Sequence, residues 1–203
     1  GILELIPEST PKIYVGRAAG DPTSNQLKTN QVMLQYALEG KNVLRLKGGD
    51  PFIFGRGGEE AEFLKENAID FEIIPGISSA IGSAVYSGIP LTHRQFSSSV
   101  AIVTGHEDPT KKEESVSWGK LATAVDTIVI LMGIENLESI MRDLINYGLS
   151  NDTKIAVIQN GTLEDQKVII GNFNNIRKKM DDASIKPPAV IIIGEVVSLA
   201  DKI

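Results

Sequence analysis

The residue types best suited to chemistry lie in the stretch LKGGDPFIFGRGGEEA at residues 46–61, directly after an apolar run. A glycine-rich turn that follows a strand usually cradles phosphate, but here Asp50 comes directly after Gly48 and Gly49. Its carboxylate would repel an anion, and the stretch has neither the G-K-S/T of a P-loop nor the G-x-G-x-x-G spacing of a dinucleotide-binding loop. The loop therefore suits a ligand with hydroxyl or ammonium groups, such as a ribose or an amino-acid end, unless Asp50-Pro51 is a plain turn.

Two arginines near this stretch are suited to binding carboxylates. Arg56 stands between glycines in GRGGEEA, and its planar guanidinium can form two parallel hydrogen bonds with a carboxylate. Glu59 would orient Arg56 or accept from a ligand N–H, although acids in the first turn of a helix also favour the helix dipole. Arg94 follows His93 in LTHR, and a histidine in isolation is more often structural. Together the two arginines favour a substrate with several carboxylates.

Glycine ends many of the predicted strands, which favours a ligand crevice at a sheet edge. Ligands of open α/β sheets bind at the carboxyl ends of strands, and glycine there allows the backbone to approach closely. Each glycine alone could equally make a turn or a helix cap. Ser78 would cap a helix beginning near Ser79, and Met132 would fill the core or lie against a flat ring such as adenine. The glycine ends are VG at 15–16, KGG at 47–49, PG at 75–76, TG at 104–105, MG at 132–133 and NG at 160–161.

The order of apolar runs and helical patterns predicts an α/β fold with two domains. In the first half, strands alternate with helices, which is typical of a parallel sheet. These strands are 12–16, 42–48 and 71–76, and the helices begin at Ser24 or Asn25, at Gly58 and near Ser78. The Pro-, Ser- and Thr-rich stretch 88–98 separates a domain at 1–93 from a domain at 94–203.

The second half predicts a mixed sheet. Its strands are 99–105, 126–133, 154–161, 166–172 and 189–197, with helices near 117–124, 136–147 and 173–181. The third and fourth of these strands are too close in sequence for a helical crossover, so we expect them to form an antiparallel hairpin.

Composition excludes several classes of protein. The net charge of −6 over 203 residues, with scattered basic residues, argues against a nucleic-acid partner. There is no cysteine and there are only two histidines, so neither disulfides nor a metal site are expected. No run approaches the roughly 18–20 apolar residues of a membrane span, and no signal-peptide pattern opens the chain. We therefore expect a cytoplasmic protein with a small-molecule substrate.

Taken together, these blocks resemble the tetrapyrrole methylase family. The similarity extends in order from about residue 13 to the C terminus and includes VGRAAG, IPGISSAIGSAVYSGIPLTHR, SVAIVTGHE, LMG, QNGT and AVIIIGEVV. The blocks GGDPFIFGRGGEEA and GIPLTHR are the most specific, and they resemble the members that methylate uroporphyrinogen III. The resemblance implies C-methylation by S-adenosyl-L-methionine, giving precorrin-2 through precorrin-1 on the route to sirohaem and cobalamin. It also implies a homodimer with the cofactor in a cleft between two α/β domains.

The resemblance also assigns roles to residues. It implies that Arg56 and Arg17 are catalytic and that Glu59 and Arg94 bind the tetrapyrrole. The positions that match cofactor contacts are Gly48, Gly49, Asp50, Ile53, Ser78, Ser79, Met132 and Gly161. S-adenosyl-L-homocysteine would be the product. Arg17 occupies a place where relatives often have a lysine proposed as a proton donor, and because arginine keeps its proton we interpret Arg17 as an electrostatic substitute.

The chain departs from the family pattern at its start. The usual first strand, its glycine-rich loop and a Tyr-Asp-x-Leu segment do not occur, so we expect that about 30 residues forming one βα unit are absent before Gly1. Two alternatives to the enzyme therefore stay open. The chain could be a ligand-binding remnant, or it could be a methylase of a later corrinoid intermediate, although the LTHR and GRGGEE blocks argue against the latter.

Overall fold

The computed structural model describes residues 2–16, 25–106 and 116–203, and it forms two compact units, Gly1–Pro75 and Gly76–Ile203. The sequence pattern placed the domain boundary at residue 93, whereas the units divide at residue 75. The stretch between these positions contains helix α3 (Ser79–Tyr86). Its buried Ala80 and Ala84 belong to an apolar cluster with the strands of the second unit, which explains why α3 belongs to that unit.

Two α-helices of the first unit lie close to their predicted positions. They are α1 (Asn25–Leu38) and α2 (Gly57–Glu66), and a short 3₁₀ helix, Ile2–Leu5, precedes them. As expected, α1 runs to Leu38 and is terminated by Gly40, which has a φ of 73° and donates its N–H to the carbonyl of Ala37 at 2.9 Å. Glycine adopts this left-handed conformation without steric cost, so it stops the helix.

The prediction of strands at 12–16, 42–48 and 71–76 is wrong. No strand begins before Val100 in the described part of the chain, so the expected N-terminal parallel sheet is not formed there. Large side chains in these segments are exposed, including Tyr14 (85%), Leu44 (74%) and Ile74 (67%). An apolar run becomes a strand only where a neighbouring strand completes its hydrogen-bond ladder, and local sequence does not reveal that neighbour.

The second unit contains the predicted mixed sheet. Its five strands have the order β1-β2-β5-β3-β4 within the described residues. They are β1 (Val100–Thr104), β2 (Thr127–Leu131), β3 (Lys154–Gln159), β4 (Lys167–Asn172) and β5 (Ala189–Ile193). β1 and β2 are parallel, the other pairs are antiparallel, and β3 and β4 form the predicted hairpin. Since β2 and β3 are both antiparallel to β5, strands β1, β2 and β3 end at the same edge of the sheet.

Apolar side chains cover both faces of this sheet. On one face lie α4 (Trp118–Ala124), α5 (Leu137–Asn146) and α6 (Ile176–Asp182), and α5 buries Leu137, Ile140, Met141 and Leu144 with helical spacing. On the other face lie α3 and a C-terminal 3₁₀ helix, Glu195–Leu199. Successive residues of β2 point alternately into the two clusters, as the pleat of a strand requires. The structure thus has the predicted α/β class, with its sheet in the second unit.

Candidate functional site

The glycine-rich loop of the first unit folds around the carboxylate of Asp50. Its Oδ1 accepts a hydrogen bond from the N–H of Phe52 at 2.9 Å, and the carbonyl of Asp50 accepts from the N–H of Ile53 at 3.4 Å. Gly49 has a φ of 70°, a conformation that favours glycine. The turn proposed for Asp-Pro is therefore present, and it exposes 56% of Phe52 and 41% of Ile53.

The glycines of this loop have two different surroundings. A Cβ on Gly55 would lie 2.7 Å from the carbonyl oxygen of Pro51, and the N–H of Gly57 donates to the same oxygen at 2.9 Å. Gly55 and Gly57 therefore allow the chain to fold back on Pro51. A Cβ on Gly48, in contrast, would meet no atom within 4 Å. The backbone at Gly48 is open, so folding alone does not account for a glycine there.

Arg56 is held by Glu59 across the first turn of α2. Arg56 Nε donates to Glu59 Oε1 at 3.0 Å, and the guanidinium also contacts Glu59 Oε2. The hydrogen bond from Arg56 lowers the pKa of Glu59, and the bond to Glu59 raises the pKa of Arg56. Arg56 itself has a φ of 58°, a left-handed conformation that is uncommon outside glycine. The sequence suggested that Glu59 either orients Arg56 or accepts from a ligand, and the geometry shows that it orients Arg56.

Sequence reasoning missed the buried carboxylate of Glu60, because the helix dipole already accounts for an acid in the first turn of a helix. Glu60 is 4% exposed and accepts from Lys47 Nζ at 2.8 Å, from Arg45 Nε at 3.2 Å and from Gln26 Nε2 at 3.0 Å. Burial raises the pKa of Glu60, but the hydrogen bonds from Lys47 and Gln26 and the charges of Arg45 and Lys47 outweigh it, so the pKa is lowered. The only signal in the sequence is the alternation of two basic residues in RLK directly before the loop.

In the second unit, Ser78 and Ser79 begin α3 as predicted. Ser78 is buried and its Oγ accepts from the N–H of Ala80 at 3.3 Å, so it is the N-cap. Ser79 is exposed. The turn after β3 packs closely against α3. A Cβ added to Gly161 in that turn would lie 2.6 Å from the Cβ of Ser83 in α3, so glycine at this position allows the close packing. Gly161 thus has a packing role beside the ligand role that the resemblance implies.

The carboxyl ends of β1, β2 and β3 meet at one edge of the sheet, and the predicted glycine ends at 104–105, 132–133 and 160–161 lie there. The glycine ends at 15–16, 47–49 and 75–76 follow no strand in the described part of the chain, so that part of the prediction is wrong. Gly105 and Gly133, which follow β1 and β2, are so close that a Cβ on Gly105 would overlap the Cα of Gly133. Met132 has a φ of 55° and is 54% exposed, so it is not core filling. After β3, Asn160 also has a positive φ of 52°. Such uncommon conformations cluster at ligand sites in many proteins.

The two remaining predicted residues are Arg94 and Arg17, and the structure describes only Arg94. Arg94 is exposed and has no ion-pair partner among the described residues. Its neighbour His93 stabilises the turn, because His93 Nδ1 accepts from the N–H of Gln95 at 3.2 Å and its ring lies 5.0 Å from that of Phe96. Arg17 lies outside the described residues.

The structure therefore brings the predicted residues together in two groups, one in each unit. The first unit carries Gly48, Gly49, Asp50, Ile53, Arg56 and Glu59 on one loop and the helix after it, and the second carries Ser78, Ser79, Met132, Gly161 and Arg94. Within the described ranges, no three His, Cys, Asp or Glu side chains are grouped as metal ligands. Among the same residues, no helix has the length and apolar character needed to cross a membrane.

Comparison with known proteins shows which family this chain resembles. The family described as Tetrapyrrole (Corrin/Porphyrin) Methylases matches residues 1–177. The S-adenosyl-L-methionine-dependent uroporphyrinogen III methyltransferase of Methanosarcina barkeri is 49% identical over 200 residues, which cover 98% of this chain and 78% of that protein. The siroheme synthase of Pseudoalteromonas atlantica is 48% identical over 204 residues, and the chain spans only 43% of its length.

Solved structures with the same fold include two enzymes. A uroporphyrin-III C-methyl transferase from Thermus thermophilus, complexed with S-adenyl homocysteine, is 30% identical, with a TM-score of 0.73 over 85% of this chain and 74% of that chain. A cobalt precorrin-4 methyltransferase is 28% identical, with a TM-score of 0.76 over 89% of this chain and 74% of that chain.

Proposed function

Because this chain belongs to the tetrapyrrole methylase family, we propose that it transfers methyl groups from S-adenosyl-L-methionine to ring carbons of uroporphyrinogen III. The product would be precorrin-2, formed through precorrin-1, for sirohaem or cobalamin biosynthesis. The observation that carries this proposal is the 49% identity, over 98% of the chain, to a uroporphyrinogen III methyltransferase.

The residues present suit the cofactor. Space beside Gly48 is open, the loop carries the carboxylate of Asp50, which would bind hydroxyl or ammonium groups, and Met132 is 54% exposed, so its side chain would pack against a flat ring. When bound, S-adenosyl-L-methionine supplies a methyl group already activated on a sulfonium sulfur. The residues that would hold it are Gly48, Gly49, Asp50, Ile53, Ser78, Ser79, Met132 and Gly161.

The charged residues would act on the substrate. Uroporphyrinogen III has eight carboxylates, and Arg56 and Arg94 are exposed cations suited to bind them. Glu59 holds Arg56 in one orientation, so less conformational entropy is lost when a substrate carboxylate binds. Alignment of the reacting atoms can supply several kcal/mol of the barrier, so positioning by these residues is itself catalytic.

A titration with S-adenosyl-L-homocysteine tests the cofactor part of the proposal. We expect calorimetry to detect binding by the wild type and a loss of about tenfold or more in both Asp50→Ala and Asp50→Asn, because the charge meets the ligand. Asn keeps an oxygen that can accept from Phe52, so it is the matched control for the turn. Wild-type affinity in Asp50→Asn would show that Asp50 only shapes the loop, and no binding by folded wild type would refute the proposal.

A second candidate is methylation of a later corrinoid intermediate. The similarity to a cobalt precorrin-4 methyltransferase favours it, but that identity of 28% is well below the 49% to the uroporphyrinogen enzyme. Incubation with uroporphyrinogen III and S-adenosyl-L-methionine, followed by the absorption spectrum of the product, separates the two. A dimethylated product supports our proposal, whereas cofactor binding without turnover supports the ligand-binding remnant.

Two finer expectations belong to the same proposal. By its family resemblance the enzyme would act in the cytoplasm and as a homodimer. Sedimentation equilibrium measures the mass in solution, and a monomer at all concentrations near those of the assay would contradict the dimer. Fractionation of the source cells would test the compartment.

A further inference from the structure

The buried cluster around Glu60 joins three separate parts of the first unit. Glu60 lies in the first turn of α2, Gln26 lies in α1, and Arg45 and Lys47 lie in the segment that leads into the glycine-rich loop. Side chains of all three donors reach the same carboxylate, at 2.8–3.2 Å. Since Glu60 is only 4% exposed, these donors must compensate for the loss of solvation of its charged carboxylate.

The pair of Lys47 and Glu60 spans the base of the loop. Lys47 is the residue directly before Gly48, and Glu60 is 13 positions later, after the loop has ended and α2 has begun. The Lys47 side chain is 12% exposed and that of Glu60 is 6% exposed, so solvent screens this pair little. The bond thus fixes the first residue before the loop to the helix after it.

Hydrogen bonds inside the loop complete this arrangement. The carbonyl of Pro51 accepts from the N–H of Gly57, and the carboxylate of Asp50 accepts from the N–H of Phe52. These bonds lie between Asp50 and Gly57 and do not include Gly48 or Gly49. Lys47 adjoins Gly48 directly, so its bond to Glu60 acts next to the open space beside that glycine.

We propose that Glu60 is a positioning residue for the cofactor loop, acting through Lys47 to hold Gly48, Gly49 and Asp50 against the start of α2. The inference rests on the proposed function, because it assigns cofactor binding to this loop. Because Glu60 is buried against Gln26, Arg45 and Lys47, the role proposed for it is indirect, without contact to substrate or cofactor. Its effect on the reaction is the reduced freedom of the loop, which lowers the entropy lost when the cofactor binds.

The test compares Glu60→Gln and Lys47→Met with Glu62→Gln, an exposed residue of the same helix. In Lys47→Met, Glu60 keeps its hydrogen bonds from Arg45 and Gln26, so the rest of the cluster remains. This variant therefore keeps the test available if Glu60→Gln does not fold. Calorimetry with S-adenosyl-L-homocysteine should show binding weakened about tenfold in both variants and unchanged in the control, the size of coupling typical of residues in one network. Steady-state kinetics should show a raised KM for S-adenosyl-L-methionine with a smaller change in kcat.

Hydrogen exchange separates positioning from a general structural role. We expect exchange in both variants to accelerate most at residues 47–57, above a smaller and even increase across α1 and α2 that reflects the lower stability of the unit. An equal increase across residues 47–57, α1 and α2, or affinities within about twofold of wild type, would overturn the inference. If wild type does not bind S-adenosyl-L-homocysteine, the proposed function fails, and the exchange pattern then decides alone whether Glu60 holds the loop.

Discussion

The two units hold their candidate site residues by different forces. In the first unit, where the described residues form no strand, charged side chains join the two ends of the loop, chiefly Glu60 with Lys47 and Arg45. In the second, Met132 and Gly161 follow strands whose side chains are almost completely buried in apolar clusters. A charge network responds to pH and to loss of one partner, whereas a packed core responds to volume.

This difference has an energetic consequence. Full burial of one large aliphatic side chain is worth about 1.5–3 kcal/mol, and the second unit buries many of them. A buried ion pair contributes little net stability, because desolvation offsets its attraction, although removal of one partner is costly. We therefore expect the second unit to be the more stable of the two, and the charges of the first unit to select its conformation.

The largest effect should follow removal of core volume from the second unit. Ile191, at the centre of β5, is fully buried, so Ile191→Ala should lower the free energy of unfolding by about 2–5 kcal/mol. Urea unfolding followed by circular dichroism measures the change. Leu163→Ala is the control, since Leu163 is 61% exposed. Equal stability of the two variants would contradict the assignment of the core.

A smaller effect should follow crowding at the contact between α3 and the turn after β3. In Gly161→Ala the new Cβ would overlap Ser83, which should cost about 1–3 kcal/mol and weaken binding of S-adenosyl-L-homocysteine. The double variant Gly161→Ala with Ser83→Gly removes the obstructing side chain and should recover part of the loss. If it recovers stability but not affinity, Gly161 contacts the ligand directly; if neither recovers, the steric explanation is wrong.

Sequence alone predicted the second unit well, because its signals are local. The run DTIVILMG is long and apolar enough to be a buried strand, and only a few residues separate the strands of the hairpin. The strands predicted at 12–16, 42–48 and 71–76 had comparable apolar runs, but a ladder depends on a partner elsewhere in the chain. Length and composition of a run do not identify that partner.

The residues of the candidate site also divide into those with a local signal in the sequence and those that depend on distant partners. Gly48, Gly49 and Asp50 were recognisable because a carboxylate after two glycines is unusual for a turn that could hold phosphate. Glu60 was not recognisable as a site residue, because the helix dipole already explains an acid in the first turn of a helix. Its donors Gln26 and Lys47 are 34 and 13 positions away, and only the folded chain brings them together.

Acid should weaken the first unit through Glu60. Its pKa is below the ordinary value of 4.5, so its stabilisation is complete at neutral pH and is lost as pH falls below about 4.5 towards the folded pKa. Glu60→Gln should therefore be about 1–2 kcal/mol less stable than wild type near pH 7, and the difference should shrink in acid. Urea unfolding at a series of pH values measures this, with Glu62→Gln as control. A difference that does not vary with pH would contradict the charge-based account.

The smallest effect on stability should come from the exposed ion pair of Arg56 and Glu59. Glu59→Gln should change the free energy of unfolding by less than about 1 kcal/mol, and added salt should remove the difference. In the second unit, Arg177 forms a comparable exposed pair with Asp181 in α6 and lies 3.6 Å from Glu138, so Asp181→Asn should have a similarly small effect on stability. Turnover of uroporphyrinogen III distinguishes them. Only Glu59→Gln should raise the KM for uroporphyrinogen III, because Glu59 orients the arginine that would bind a substrate carboxylate. If both variants turn over like wild type, the pair of Arg56 and Glu59 is a surface contact and the substrate lies elsewhere.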